Sequence, residues 1–189
     1  HWWQQKVNLE QLDILFSEIS RAKGVNDFVV VGSLSVLGLT QQGIAFSEML
    51  ASIDVDAYPE HDPKLTDELG KLWGQGSEFE RKHGYYYDAV PPELPTLPDG
   101  WEARMISLNL PSGVHVKFLE PNDAAVSKYA RGEAKDRQWI REGLRQSILS
   151  LATIEYRFHR TSFLDQEEHD RAKTLIAEDR GWLVSVFKA

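Results

Sequence analysis

Apolar positions first recur at helical spacing between Asn8 and Lys23, where Leu9, Leu12, Leu15, Phe16 and Ile19 gather on one side. Asn8 offers an N-cap oxygen and Gly24 a stop, so the stretch predicts an amphipathic helix. The period then changes. Asp27-Phe-Val-Val-Val-Gly-Ser33 is a β-branched run closed by glycine and predicts a buried strand entering a tight turn. A helix can open from Ser33 to about Leu39, with Gly38 and Gly43 leaving its length open. Ala51 to Tyr58 alternates with period two and Pro59 ends it. Ile53, Val55 and Ala57 share one face, and Asp54, Asp56 and Tyr58 share the other.

Further along, Lys64 to Trp73 predicts a short helix with Leu65, Leu69, Leu72 and Trp73 on its apolar side. Gly84 to Val90 favours strand, Pro91 to Pro98 is a proline-rich connector, and Asp99-Gly100 is a turn. Trp101 to Leu110 and Val114 to Leu119 predict two strands joined as a hairpin by Pro111-Ser-Gly113. The remainder reads as helical. One helix starts near Asp123, a second covers about Asp136 to Leu151, and a third begins at Asp165 with Glu168 completing a capping-box pattern. Trp182 to Phe187 is open between a last strand and a packed tail. The expected organisation is a core over residues 1–120 and a helical section over 121–189 packed on it as one compact unit.

Composition narrows the chemistry. The 189 residues are 42% hydrophobic and 26% charged, an ordinary globular balance that argues against disorder. Acidic side chains number 29 against 21 basic ones, a net charge of −8, which disfavours broad electrostatic binding of nucleic acid but leaves room for a local basic patch. No apolar run is long enough to span a bilayer, and the amino-terminal His-Trp-Trp-Gln-Gln lacks the pattern of a signal peptide, so a cytoplasmic protein is expected. The absence of cysteine removes thiolate nucleophiles, thiolate zinc sites and disulfides. Catalysis would have to use carboxylates, histidines, hydroxyls or a hard metal ion.

Two motifs gain meaning together: Val31-Gly-Ser33 at the end of a buried strand and Asp54-Val-Asp56 on the next. Alone, the first is commonly only a turn and the second a solvated face. On a strand, residues i and i+2 project from the same side, so Asp54 and Asp56 place two repelling carboxylates together, and a divalent cation such as Mg²⁺ relieves that repulsion. A glycine-serine turn at a helix start presents N–H groups and a hydroxyl suited to a phosphate chain. Metal and phosphate cradle together imply a nucleoside triphosphate. A third group, Lys128, Arg131 and Lys135, falls within about 60° around a helix at about 100° per residue and forms one basic stripe. It is either a clamp for triphosphate or RNA backbone or a solvated face paired to Glu133, while Asp136 caps the following helix or orients Lys135.

The order strand, Gly-Ser, helix, strand with Asp-x-Asp resembles the polymerase-beta-type nucleotidyltransferase fold. Val29 to Leu37, Ser52 to Pro59, Leu97 to Arg104 and Leu119 to Asp136 look like successive blocks of small bacterial nucleotidyltransferase-like proteins, some of them toxins of toxin–antitoxin pairs and others related to antibiotic nucleotidyltransferases. The twenty residues between Ser33 and Asp54 fit the larger subgroup. The resemblance implies an α+β fold with a small mixed sheet flanked by helices and a helical carboxy-terminal section closing over the site. It also implies transfer of a nucleoside monophosphate from an NTP, ATP among them, to an acceptor hydroxyl. In that reading Asp54 and Asp56 hold Mg²⁺, with a two-metal site compatible, and Gly32, Ser33, Lys128, Arg131 and Lys135 bind the nucleotide or guide a nucleic-acid acceptor. The fold usually offers a third carboxylate. Asp88 is the first candidate, ahead of Glu102 and Asp123. The acceptor is open among tRNA or other RNA, protein and a small molecule such as an aminoglycoside. A cognate antitoxin and a non-catalytic binding module are both compatible.

Other chemistries lack their motifs. No His-Glu-x-x-His, Gly-x-Ser-x-Gly, Walker loop or Gly-x-Gly-x-x-Gly occurs, and His159 and His169 read as surface or packing residues. Tyr85, Tyr86 and Tyr87 read as alternating strand positions rather than a stacking platform for bases.

Overall fold

The computed structural model describes residues 7–42 and 49–188, so Gly43 and the amino-terminal run 1–5 lie outside the described residues. Helix α1, Leu9–Lys23, begins with the expected cap. Asn8 accepts the Gln11 N–H at 3.0 Å and the Gln11 side chain accepts the Asn8 N–H at 2.8 Å, while Gly24 closes the helix in the left-handed region at φ 72. Strand β1, Asp27–Val30, follows. It leads into a 3-10 segment, Gly32–Gln42, where the sequence predicts a helix from Ser33. A Cβ at Gly38 would stand 2.9 Å from that of Phe118, so the segment packs closely on the sheet at this glycine.

Strand β2 is Asp54–Pro59; a short turn at Pro63–Leu65 then precedes α2, Thr66–Trp73. Helix α3, Glu78–His83, is not predicted by the apolar pattern, because it buries only Phe79. Its signals are the Ser77 cap and the Gly84 stop. Strand β3, Tyr86–Ala89, comes next. The predicted strand from Trp101 starts late. Gly100 turns at φ 81, Arg104 bonds back to the Asp99 carbonyl at 3.0 Å, and a one-turn helix α4, Trp101–Arg104, forms before β4, Ile106–Asn109. β4 and β5, His115–Phe118, pair antiparallel across Pro111-Ser-Gly113, as the hairpin reading expects.

The five strands make one mixed sheet in the order β3-β2-β1-β5-β4, with β1 antiparallel to β2 and parallel to β5, and β2 parallel to β3. The chain divides into two compact units, residues 1–94 with 105–119 and residues 95–104 with 120–189. The first holds the sheet. Its core stacks Phe16 on Phe28 at 4.1 Å with Tyr87 edge-on to both, and Leu12, Leu15, Val55, Val116 and Phe118 complete it. Trp73 donates to Glu18 at 2.6 Å and ties α2 to α1.

The second unit contains α4 and four further helices: α5, Pro121–Arg131; α6, Ala134–Arg145; α7, Leu151–Phe158; and α8, Gln166–Lys188. Tyr129 donates to buried Asp179 at 2.7 Å, and Arg141 reaches the same carboxylate at 2.9 Å. Three sequence expectations change here. The helix predicted through Leu151 stops at Arg145, because Ser147 turns at φ 59 and Ser150 caps a new helix by accepting the Thr153 N–H. Trp182 to Phe187 continues α8. Asp165 accepts the Glu168 N–H at 2.8 Å, but the Glu168 carboxylate bonds the Leu164 N–H instead of closing a box. No helix among the described residues is long and apolar enough to cross a membrane. The mixed sheet, its flanking helices and the helical carboxy-terminal section match the polymerase-beta-type nucleotidyltransferase architecture.

Candidate functional site

The Val31 N–H bonds the Asp56 carbonyl at 2.9 Å, extending the β1–β2 pairing by one residue and bringing Gly32 against the Asp56 side chain. Gly32 adopts φ 70, and a Cβ there would lie 2.3 Å from Asp56 Oδ2. Only glycine both tolerates that backbone and leaves room for the carboxylate. Ser33 follows in the first turn of the 3-10 segment.

Asp54 and Asp56 share a face of β2 while Val55 and Ala57 fill the core on the other. The parallel register sets Asp56 opposite Asp88 and Asp54 opposite Tyr86. One oxygen from each of Asp54, Asp56 and Asp88 lies within 4.8 Å of the other two. The Ser52 hydroxyl hydrogen-bonds Asp54, and neither Asp54 nor Asp88 has a lysine or arginine ion pair among the described residues. The Tyr86 phenol is held above its ordinary pKa by burial and then by the charges of Asp54, Asp88, Glu80 and Asp56. The donor set is three hard carboxylate oxygens on two paired strands, which suits Mg²⁺ or a similar hard divalent cation.

Of the three acids weighed for the third carboxylate, Asp88 stands beside Asp54 and Asp56 within the first unit. Glu102 is exposed on α4. Asp123 is fully buried in the second unit, where Arg104 holds it through two contacts of 2.9 Å and Arg157 approaches at 3.3 Å. The basic stripe is not one helix face. Gly132, at φ 68, ends α5 after Arg131, and Lys135 belongs to α6. Lys128 is buried and meets Asp136 at 3.3 Å, with Trp139 against its ammonium. Arg131 grips the same carboxylate at 2.8 and 2.6 Å, and exposed Lys135 sits 3.9 Å from Glu133. Asp136, the third residue of α6, also accepts the Glu133 N–H at 3.1 Å and closes a capping box, so the N-cap is Glu133 rather than Asp136 as the sequence predicts. Burial pushes its carboxyl upward, but the Arg131 hydrogen bonds, the Lys128 and Arg131 charges and the Glu133 N–H outweigh this and hold it below the usual range.

A second cluster escapes the sequence pattern. Asp27, Glu60 and His61 also bring one ligand atom each within 4.8 Å, at the opposite end of β1 and β2, and can coordinate a divalent ion. Here a cation is already present: Lys117 pairs with Glu60 at 3.0 Å, and His115 stands 3.6 Å from Asp27. Cross-strand register creates this group, since Asp27 faces His115 and the Glu60 N–H bonds the Asp27 carbonyl at 3.0 Å. Nothing in the linear sequence pairs these positions.

No curated protein and no solved structure matches the chain. A family does match, over residues 8–183, which includes every strand of the sheet and all three carboxylates of the cluster. The chain belongs to that family, described as Nucleotidyltransferase of unknown function (DUF6036).

Proposed function

We propose that the protein transfers a nucleoside monophosphate from an NTP to an acceptor hydroxyl and releases pyrophosphate. The observation that carries this reading is the convergence of Asp54, Asp56 and Asp88 beside the Gly32-Ser33 turn. Asp54 and Asp56 would hold Mg²⁺, which when bound supplies Lewis-acid polarisation of the α-phosphate and compensates its charge. The Gly32-Ser33 turn binds the β- and γ-phosphates through backbone N–H groups and the Ser33 hydroxyl. Asp88 takes the proton of the attacking hydroxyl as its oxygen bonds the α-phosphorus and the bond to the departing pyrophosphate breaks. In the second unit, Lys128 acts through Asp136, while half-exposed Arg131 and exposed Lys135 are the members of the basic group able to meet a phosphate. ATP is the first donor to try. RNA, a host protein and an aminoglycoside are the acceptors to separate. Neutralisation by a cognate antitoxin in the cytoplasm completes the proposal.

The test offers each labelled triphosphate with Mg²⁺ to total RNA, protein extract and aminoglycosides. One fraction should take label, and the Asp54→Ala, Asp56→Ala double variant should lower the rate by about 100-fold or more. Equal labelling by parent and variant overturns the proposal, as does labelling of no fraction by any triphosphate.

A further inference from the structure

Away from the carboxylate cluster, the second unit carries an open cleft of about 390 Å³ lined by Asp99, Arg104, Thr153, Tyr156, Arg157 and Arg160. Its walls are braced. The 95–104 segment is held to the end of α7 by the Asp99 N–H on the Arg160 carbonyl at 2.9 Å and by the bridge between Pro98 and Thr161. Asp123 fixes Arg104 and Arg157 from behind, and Glu120 also bonds Arg157. Among the described residues Arg157 spends only Nη1 on these partners, so its Nε and Nη2 donors remain for a ligand. At the mouth, Tyr156 is 60% exposed and the Arg160 guanidinium lies 4.6 Å from its ring centre.

Most of this charge is cancelled. Glu120, Asp123 and Asp99 offset Arg104, Arg157 and Arg160 one for one, so bulk attraction is not what the cleft offers. It offers direction instead: a flat aromatic surface, guanidinium edges for a phosphate oxygen, and Asp99 and Thr153 as partners for sugar hydroxyls. An exposed ring, guanidinium groups and hydroxyl partners lining one cleft are the groups that the base, phosphate and sugar of one RNA nucleotide would meet.

We propose that this cleft binds single-stranded RNA, seating a base on Tyr156 and its phosphate against Arg157 and Arg160. The binding stands by itself, and only its identification as the acceptor rests on the transferase reading above. Recognition by stacking and one or two phosphate contacts also accords with a chain of net charge −8.

The experiment is fluorescence anisotropy of a short labelled single-stranded RNA with the full chain, in EDTA and without NTP. Tyr156→Ala combined with Arg160→Ala, both at exposed positions, should weaken binding about tenfold or more, and Tyr156→Phe should restore the tyrosine's share. The salt slope should be shallow, about −0.7 per phosphate contacted. Asp54→Ala with Asp56→Ala should bind RNA as the parent does, so loss of transfer and loss of binding are read separately. Equal affinity of the Tyr156/Arg160 variant overturns the proposal. So does saturation by free AMP or inorganic phosphate with no binding of the RNA.

Discussion

At position 32 the chain does without a side chain because Asp56 occupies the space. Gly32→Ala adds a methyl group 2.3 Å from Asp56 Oδ2 and strains a backbone at φ 70. The expected cost is about 1–3 kcal/mol in chemical denaturation, with a larger proportional loss in nucleotidyl transfer, since the displaced atom belongs to the carboxylate cluster. The cluster also predicts how metal couples to folding. Three carboxylates with oxygens within 4.8 Å of one another would repel when ionised, and a bound divalent cation would offset that repulsion. Mg²⁺ at about 100 times its dissociation constant should add about 2.7 kcal/mol of stability, read as a rise in melting temperature over an EDTA control. Asp54→Asn with Asp56→Asn should abolish that rise and melt no lower than the metal-free parent.

Between elements, the junction of α5 and α6 depends on Asp136. The buried carboxylate is shared by Lys128 and Arg131 and accepts the N-cap N–H of α6, so Asp136→Asn removes the negative charge from a buried ion-pair network. A loss of about 3–5 kcal/mol is expected. Because the folded-state pKa of Asp136 lies below its unfolded value, its contribution is complete above the unfolded pKa of about 3.9 and disappears as pH falls through the lower, folded value. Acid unfolding of the Asn variant should lack this component. The same junction marks where sequence reading stops. Local signals suffice for α1, with its cap and stop, and for the Asp-x-Asp strand, because both depend on neighbours in sequence. The Lys128–Lys135 stripe fails because a helical wheel drawn across Gly132 ignores the left-handed stop, although an Arg-Gly-Glu sequence carries that signal. Asp88 beside Asp56, and Asp27 beside Glu60, depend on strand register, which only the assembled sheet determines.

Over the whole molecule, the chain passes between its two units at residues 94/95, 104/105 and 119/120, so neither unit is a continuous piece of sequence. The 95–104 segment belongs to the helical unit through Arg104 on Asp123 and Asp99 on Arg160. Asp123→Asn should therefore release it, and the Asp99 amide should exchange with deuterium faster than in the parent, with the β1 amides of the same sample as reference. Interleaving also sets an order of events during synthesis. Strands β1, β2 and β3 are all present once Ala89 has been made, but the other edge of β1 has no partner until His115–Phe118 is translated. At about 5–20 residues per second that edge stays open for about 1.5–6 s. A nascent chain of this protein thus offers a β-branched, unpaired strand to its neighbours on the polysome, and the hairpin that ends this exposure is the last part of the sheet to be made.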